Sequence, residues 1–305
     1  MNESMVDLRN QRVLVTGASG FIGAHLCRRL GQVGAQVHAV SRNPQTFSSS
    51  DWSWWQGDLS DYHTVRELVG KVKPDRIFHL AGPAVGSRDR SLVMPMFRDH
   101  LMSTVNLLNA AMEAGCGRIV ITGSMDEPDP RDHRAIPSSP NVAAKWAGSA
   151  YARMFHALYQ VPVVLLRVFM VYGTHQYDDT KLVPSVILSL FKGQPPKLTS
   201  GERKVDWIYV EDVIEGILAG GTVPKIEGQT IDIGTGKTTT IRDLTEYLVH
   251  SINPSIYPEY GAIQDRPLEQ ERYANVALAK KLLHWQPKVF LEEGLDKTIA
   301  WYRER

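Results

Sequence analysis

Short apolar runs, each followed by a stretch with helical periodicity, set the rhythm of the first half of the chain. Val13-Leu14-Val15 is an apolar triplet of the kind that makes a strand buried on both faces. A helical stretch beginning near Ala24 follows it. Further strands are predicted at 36–41, 52–56, 76–82, 118–124 and 161–167. The third closes on Gly57-Asp58-Leu59, and Pro74-Asp75 leads into the fourth as a turn signal. Between them lie helices at 61–70, capped by Asp61, at 91–114, ending at Gly115, and at 141–159. Strands that alternate with helices of this length must pair in parallel, which predicts an α/β fold with a doubly wound, Rossmann-type parallel sheet.

From about residue 174 the rhythm changes. Helices are predicted near 181–192, 211–220, 240–251, 276–284 and 291–303, with short strands near 205–209 and 229–233. The division expected is a dinucleotide-binding domain over 1–173 and a smaller, mostly helical substrate lobe over 174–305, with some exchange of chain between them. Such a lobe closes over the C-terminal strand edges, where ligands of open α/β sheets bind.

Composition narrows the partners. Apolar residues are 43% and charged residues 22%, ordinary for a soluble globular protein. The net charge of +1 gives no polyanion-binding surface, so nucleic acid is not an expected partner. Cys27 and Cys116 form neither a disulfide framework nor a metal site, and they suit a reducing cytoplasm. The first seven residues lack the apolar core of a signal peptide. No apolar run reaches the ~18–20 residues of a membrane span. A cytoplasmic protein without membrane or metal partners is expected.

Candidate chemistry begins at the first strand–helix turn. Gly17, Gly20 and Gly23 punctuate Thr16-Gly-Ala-Ser-Gly-Phe-Ile-Gly23, with Ser19, Phe21 and Ile22 between them. Glycine allows a tight turn and lets the backbone approach a pyrophosphate, while unpaired N–H groups at the helix start hold phosphate. An ordinary β–α turn is the competing reading. At the end of the second strand, an acid would bind the ribose 2′-hydroxyl of NAD and an arginine the 2′-phosphate of NADP. Arg42 stands there, so NADP is expected ahead of NAD; a solvated loop arginine is the alternative.

The Thr-Gly-x-x-Gly-x-x-Gly spacing resembles that of the short-chain dehydrogenase/reductase superfamily. That resemblance implies an adenine contact for Asp58, beside Leu59, and an adenosine-side loop at Leu80-Ala81-Gly82. It also implies an engine made of a Ser or Thr followed by Tyr-x-x-x-Lys on the next helix. Ser124 and Lys145 match it, Ser139-Pro140 matches its flank, and Lys145 would hold the cofactor ribose. The residue four before Lys145 is Asn141, an amide that can donate a hydrogen bond but cannot exchange a proton. Tyr151 is no substitute, because six residues past Lys145 is about 120° round the helix. Asp126 matches an acid that sugar dehydratases carry two residues after the Ser or Thr, and would act as a base beside a ketone. An exposed turn acid is the bland alternative.

Further matches make the chain similar to the extended subgroup, which contains nucleotide-sugar epimerases, dehydratases and reductases. They are Leu166–Gly173, Val205–Val213, Asp265-Arg266-Pro267, Leu282–Pro287 and Leu291–Leu295. In that subgroup arginines clamp the substrate diphosphate. Arg266 matches one position; the other holds Val205, with Arg203 two residues earlier. Met170 replaces an asparagine that touches substrate, and Thr174-His175 replaces Gly-Pro. His133 and His175 read as bland loop residues. The reading is an NADP-dependent oxidoreductase, epimerase or dehydratase transferring hydride to or from a nucleotide-linked sugar or a related hydroxyl or ketone compound, homodimeric through helices near 91–114 and 141–159. Ser124 would hold the carbonyl oxygen, and Asn141 would mark a natural or engineered loss of the proton donor. The alternative is a degenerate relative that senses a dinucleotide or binds a partner without redox turnover. Ser124 and Lys145 argue for the enzyme, Asn141 and Met170 for the alternative.

Overall fold

The computed structural model describes residues 7–45, 52–128, 135–269 and 271–305; His133 lies outside them. The chain opens with β1 (Arg12–Thr16), α1 (Phe21–Gln32), β2 (Gln36–Ser41), β3 (Trp52–Gln56), α2 (Tyr62–Val72) and β4 (Arg76–His79). A helical run over 90–113 contains α3 (Val93–Met96) and α4 (Ser103–Glu113). It leads to β5 (Arg118–Ser124), α5 (Pro140–Tyr159), β6 (Val163–Val168) and β7 (Met170–Tyr172). Next come α6 (Leu182–Phe191), β8 (Lys204–Val205), β9 (Trp207–Tyr209), α7 (Val210–Thr222) and β10 (Thr230–Ile233). The remainder is β11 (Thr239–Thr240), α8 (Ile241–Ile252), α9 (Val276–Leu283) and α10 (Leu291–Glu304).

Seven strands form one sheet in the order β10-β6-β5-β4-β1-β2-β3, and every pairing in it is parallel. The chain lays down β1, β2 and β3 in one direction and then returns to place β4 on the other side of β1. Where the order reverses, the strand ends leave a crevice, the usual ligand site of such sheets. Side chains alternate across β1. Val13 and Val15 enter the apolar cluster on one face and Leu14 the cluster on the other, as the two-residue strand period requires. Asp61 caps α2 by accepting from His63 N and Thr64 N, and Ser139 caps α5 by accepting from Val142 N.

Four departures from the sequence reading have physical causes. β4 stops at His79 because the Leu80 N–H turns to Thr16, and Gly82 takes φ +126. The helix read over 91–114 is interrupted: a π turn, Phe97–Met102, separates α3 from α4 and directs His100 into the interior. The strand read over 205–209 splits at Asp206, so that β8 pairs with β11 and β9 with β7. β10 is an edge strand of the large sheet, paired with β6, although its position in the chain put it with the small lobe.

Asp206 is fully buried. Its carboxylate accepts from Thr235 N, Thr235 Oγ1, Gly236 N and Ala274 N at 2.6–2.9 Å. Asp232 likewise holds Arg167 and Asn275 N, and Asp212 holds Lys288 N and Val289 N. Three buried carboxylates, on β10, on α7 and between β8 and β9, thus fasten the C-terminal segments to the rest of the fold, each satisfied by several donors. Among the described residues no helix is long and apolar enough to cross a membrane.

Candidate active site

Gly17 has φ +70, and a Cβ there would sit 2.8 Å from Ala81 N and Leu80 C. A Cβ on Gly23 would lie 2.1 Å from Gly17 O. Both glycines are therefore required by close backbone approach, between β1 and β4 and between the turn and α1. Gly20 caps α1 without a side chain, leaving the N–H groups of the first turn open to an anion. Phe21 and Ile22 pack half-buried on the core beneath this turn, and Ser19 is exposed beside it. The cradle fits a dinucleotide pyrophosphate.

The flanking residues lie around the same strand ends. Arg42 Nη1 donates to Asp99 Oδ2 at 2.8 Å, an ion pair made possible by the π turn. Asp58 accepts from Ser60 N and Ser60 Oγ, and its pKa is held below the usual carboxylate value chiefly by that backbone hydrogen bond. Arg98 lies 3.6 Å from it, and Leu59 beside it is buried.

Behind the crevice runs a directed chain of hydrogen bonds. Leu80 N and Ala81 N donate to Thr16 Oγ1, which meets His79 Nδ1 at 2.8 Å. His79 Nε2 meets Thr104 Oγ1 at 3.0 Å, and that hydroxyl donates to His100 O at 2.6 Å. The Thr104 donation assigns the His79 proton to Nε2, so Nδ1 accepts from Thr16. His100 Nε2 faces Pro83 O at 3.1 Å. Both histidines line a cavity of about 10 Å³ with Thr104, Ser149 and Lys145, room for about one water molecule. Burial, reinforced by the Lys145 charge, pushes each imidazole pKa down to about 3, so both are neutral. The Lys145 pKa is itself lowered by burial, against the opposing pull of Glu127.

Ser124 ends β5 and is gripped by the turn that follows. Its N–H donates to Glu127 Oε1 at 2.8 Å, its Oγ accepts from Asp126 N at 3.2 Å, and its carbonyl accepts from Glu127 N. Asp126 binds Arg203 Nη2 at 2.9 Å, Arg203 Nη1 lies 2.9 Å from Glu269, and Glu269 lies 3.6 Å from Arg266 Nη1. Arg266 lies over Gly86, where a Cβ would meet its Nη1 at 2.6 Å. Lys181 donates to Ala84 O in the same loop. A line of contacts thus runs from Ser124, through the Asp126 N–H and carboxylate, Arg203 and Glu269, to Arg266. Asn141 and Lys145 stand one turn apart on α5, and the Asn141 Oδ1 is buried with no hydrogen-bond partner among the described residues. Met170 is half-buried on β7, held by its N–H to Asp206 O. Tyr151 is exposed, on a different surface of α5 from the cleft. His175 packs on His25 and Trp301, apart from this line.

Glu127, Asp99, Glu269 and the two buried histidines did not emerge from the motifs. Glu127 had a signal, since it forms an acidic pair with Asp126 directly after a strand. The inward turn of His100 had none. A second cleft, about 860 Å³, opens among Arg12, Asp75, Arg76 and Gly117 at the opposite, N-terminal edge of the sheet. Among the described residues no group of three or more His, Cys, Asp or Glu is placed to hold a metal.

Comparisons agree with this geometry. The NAD dependent epimerase/dehydratase family matches residues 13–234. A UDP-glucose 4-epimerase of Mycolicibacterium smegmatis is 31% identical over 96% of this chain and 99% of its own length. A dTDP-D-glucose 4,6-dehydratase of Mus musculus is 28% identical over 96% of this chain and 89% of its own. Among solved structures, MoeE5 in complex with UDP-glucose and NAD superposes with a TM-score of 0.84 at 27% identity, over 96% of this chain and 98% of that one.

The neutral histidines make stability pH-dependent. Their folded-state pKa values of about 3 lie below the ordinary 6.5, so their contribution is full above pH 6.5 and is lost as pH falls toward 3. Each adds up to about 1.4 kcal/mol per pH unit in that window. His79→Gln should therefore flatten the acid side of a stability–pH curve from chemical denaturation, although it lowers stability at neutral pH. An unchanged slope would exclude His79 as a source.

Proposed function

Because the chain belongs to the NAD-dependent epimerase/dehydratase family, of the extended short-chain dehydrogenase/reductase type, we propose that it moves a hydride between a nicotinamide dinucleotide and a nucleotide-linked sugar in the cytoplasm. The observation that supports this reading is the line of contacts Ser124–Asp126–Arg203–Glu269–Arg266, which starts at the end of β5 in the turn whose Glu127 acts electrostatically on Lys145. The bound dinucleotide would supply the hydride acceptor. Gly17, Gly20 and Gly23 would hold its pyrophosphate, Asp58 and Leu59 its adenine side, Leu80 to Gly82 its adenosine, and Lys145 its ribose. Ser124, fixed at three points by its own turn, would hold the sugar oxygen that becomes a carbonyl. Arg266, half-exposed at the far end of the line, would face the diphosphate, with Arg203 braced behind it through Glu269. Met170 would border the sugar.

Asn141 sets the rate. Its orphaned Oδ1 points to a partner supplied by ligand, yet an amide moves no proton, and a positioned acid–base group is worth ~10²–10⁴-fold in rate. Asn141→Tyr places a phenol one turn from Lys145, whose positive charge lowers a phenol pKa. Turnover of the sugar nucleotide should rise at least about tenfold toward that range. Loss of an existing activity in this variant would instead make asparagine part of the native chemistry, with Asp126 or Glu127 taking the proton. No turnover in either form, with dinucleotide bound, would favour a dinucleotide sensor.

For the cofactor, Arg42 favours NADP over NAD, because a charge-assisted contact to the 2′-phosphate contributes ~1.5–3 kcal/mol. Asp99 already holds one end of that guanidinium and would repel the phosphate. NADPH should thus bind more tightly than NADH, Asp99→Asn should widen the gap, and Arg42→Ala should close it. Equal dissociation constants in the unaltered protein would overturn the assignment.

Val93, Met94 and Phe97 on the run over 90–113, and Leu158 and Tyr159 on α5, are exposed large apolar side chains. They support the homodimer read from these helices, since such surface seeks a partner. Light scattering should report twice the monomer mass; monomer at micromolar concentration would count against it.

A further inference from the structure

The cleft at the N-terminal edge of the sheet lies at the opposite end of β1 and β4 from the glycine cradle, and the proposed reaction makes no use of it. It encloses about 860 Å³, within the range of sites that hold a whole small molecule. Among the described residues, Arg9, Arg12, Lys73 and Arg76 are the cations that line it and Asp75 is the one acid. Asp75 is already engaged, since its carboxylate accepts from Arg12 N at 2.8 Å and from Arg12 Nη2 at 3.3 Å. Arg76 has only neutral hydrogen-bond partners. Its Nε donates to Gln11 Oε1 at 2.8 Å and its Nη1 to Gly221 O. Among the described residues neither Arg76 nor Lys73 forms an ion pair. Burial, and then the charge of nearby Arg118, lowers the Arg76 pKa. A half-buried guanidinium is thus held at the start of β4 with no carboxylate bound to it.

We propose that this cleft is a second ligand site, one for a small phosphorylated compound, with Arg12, Arg76 and Lys73 as its donors. The inference goes beyond the nucleotide-sugar reading and does not depend on it. The three cations stand on different elements: Arg12 opens β1, Arg76 opens β4, and Lys73 follows α2. Donors on several sides suit a group with three terminal oxygens, and a guanidinium fork matches two of them at once. The frame is the sheet itself. Asp75 N donates to Arg12 O at 2.9 Å and Gly117 N to Asp75 O at 3.1 Å, so the walls are set before a ligand arrives. Entry is open too, since a Cβ on Gly70 or Gly115 would meet nothing within 4 Å. The C-terminal ends of α2 and α4 also border the cleft, and their carbonyls favour cations. That effect fades within one helical turn and is weaker than a charge-assisted bond to a guanidinium. The anion is therefore expected on the strand side, against Arg12 and Arg76.

The test is calorimetric titration of the protein carrying one NAD per chain, with inorganic pyrophosphate and, separately, with AMP. Pyrophosphate should bind saturably at one site per chain. Gly70→Glu, which sets a carboxylate into the cleft from a position with free space around it, should abolish that binding. A side chain at this helical position also costs the fold nothing in propensity. Arg12→Gln should weaken pyrophosphate by about tenfold or more, the loss expected for one charge-assisted contact, and Lys73→Gln should weaken it as well. NAD affinity should stay unchanged in all three variants, which confirms that they fold and that the two sites are separate. AMP binding tighter than pyrophosphate identifies a nucleotide site; the reverse order identifies a site for simple phosphates. No binding of either compound overturns the proposal, and so does binding that survives Gly70→Glu undiminished. Binding lost in Gly70→Glu but unaltered in Arg12→Gln and Lys73→Gln overturns the assignment of the donors.

Discussion

The structure depends on how closely the C-terminal ends of β1 and β4 approach each other. Gly17 lies against the Leu80–Ala81 peptide with no room for a Cβ, and Thr16 just before it accepts both of those N–H groups. The approach makes the phosphate cradle, and it also buries Thr16 completely. A buried hydroxyl needs partners for its proton as well as its lone pairs. His79 supplies the acceptor, Thr104 takes the histidine's other side, and the π turn at 97–102 provides the final carbonyl. One steric requirement at a glycine thus sets a tautomer, a helix irregularity and the neutral surroundings of Lys145. Because every member is satisfied, the chain can be rigid without carrying charge.

The opposite wall of the crevice follows a different rule. There the chain places charges in the interior and cancels them locally. Asp206, Asp232 and Asp212 each gather backbone or guanidinium donors, and they secure the segments that return from the lobe to the sheet. The same logic governs the turn after β5, where Glu127 binds the Ser124 N–H and Asp126 binds Arg203. A carboxylate that accepts several hydrogen bonds loses less by burial than an isolated one.

What was legible in the sequence was what local pattern determines. β2 over 36–41, β3 over 52–56 and β5 over 118–124 emerged to the residue; β2 and β5 are largely buried apolar runs with polar ends, and β3 is a tryptophan-rich edge strand. The Asp61 cap was equally plain, whereas Ser139, read as a motif flank, emerged as the cap of α5 only in the structure. The π turn was not, because Phe97–Met102 is compatible with either helix type. Neither was the place of β10, whose pairing with β6 joins residues some sixty positions apart. In the site, Ser124, Lys145 and Arg266 stood out through spacing. Asp99 and Glu269 act through partners distant in sequence, and no single-chain pattern reveals a partner.

Asn141 shows how these levels combine. The cap at Ser139, with Pro140 after it, fixes the start of α5, and the start fixes which residue lies one turn before Lys145. Any residue at 141 inherits that position whether or not it can move a proton. Burial lowers the proton affinity of Lys145, with two neutral imidazoles beside it and the charge of Glu127 pulling the other way. Among the described residues an amide there leaves its oxygen buried without a hydrogen-bond partner, and an unsatisfied buried acceptor costs stability. The cost is removed once a ligand group donates to that oxygen.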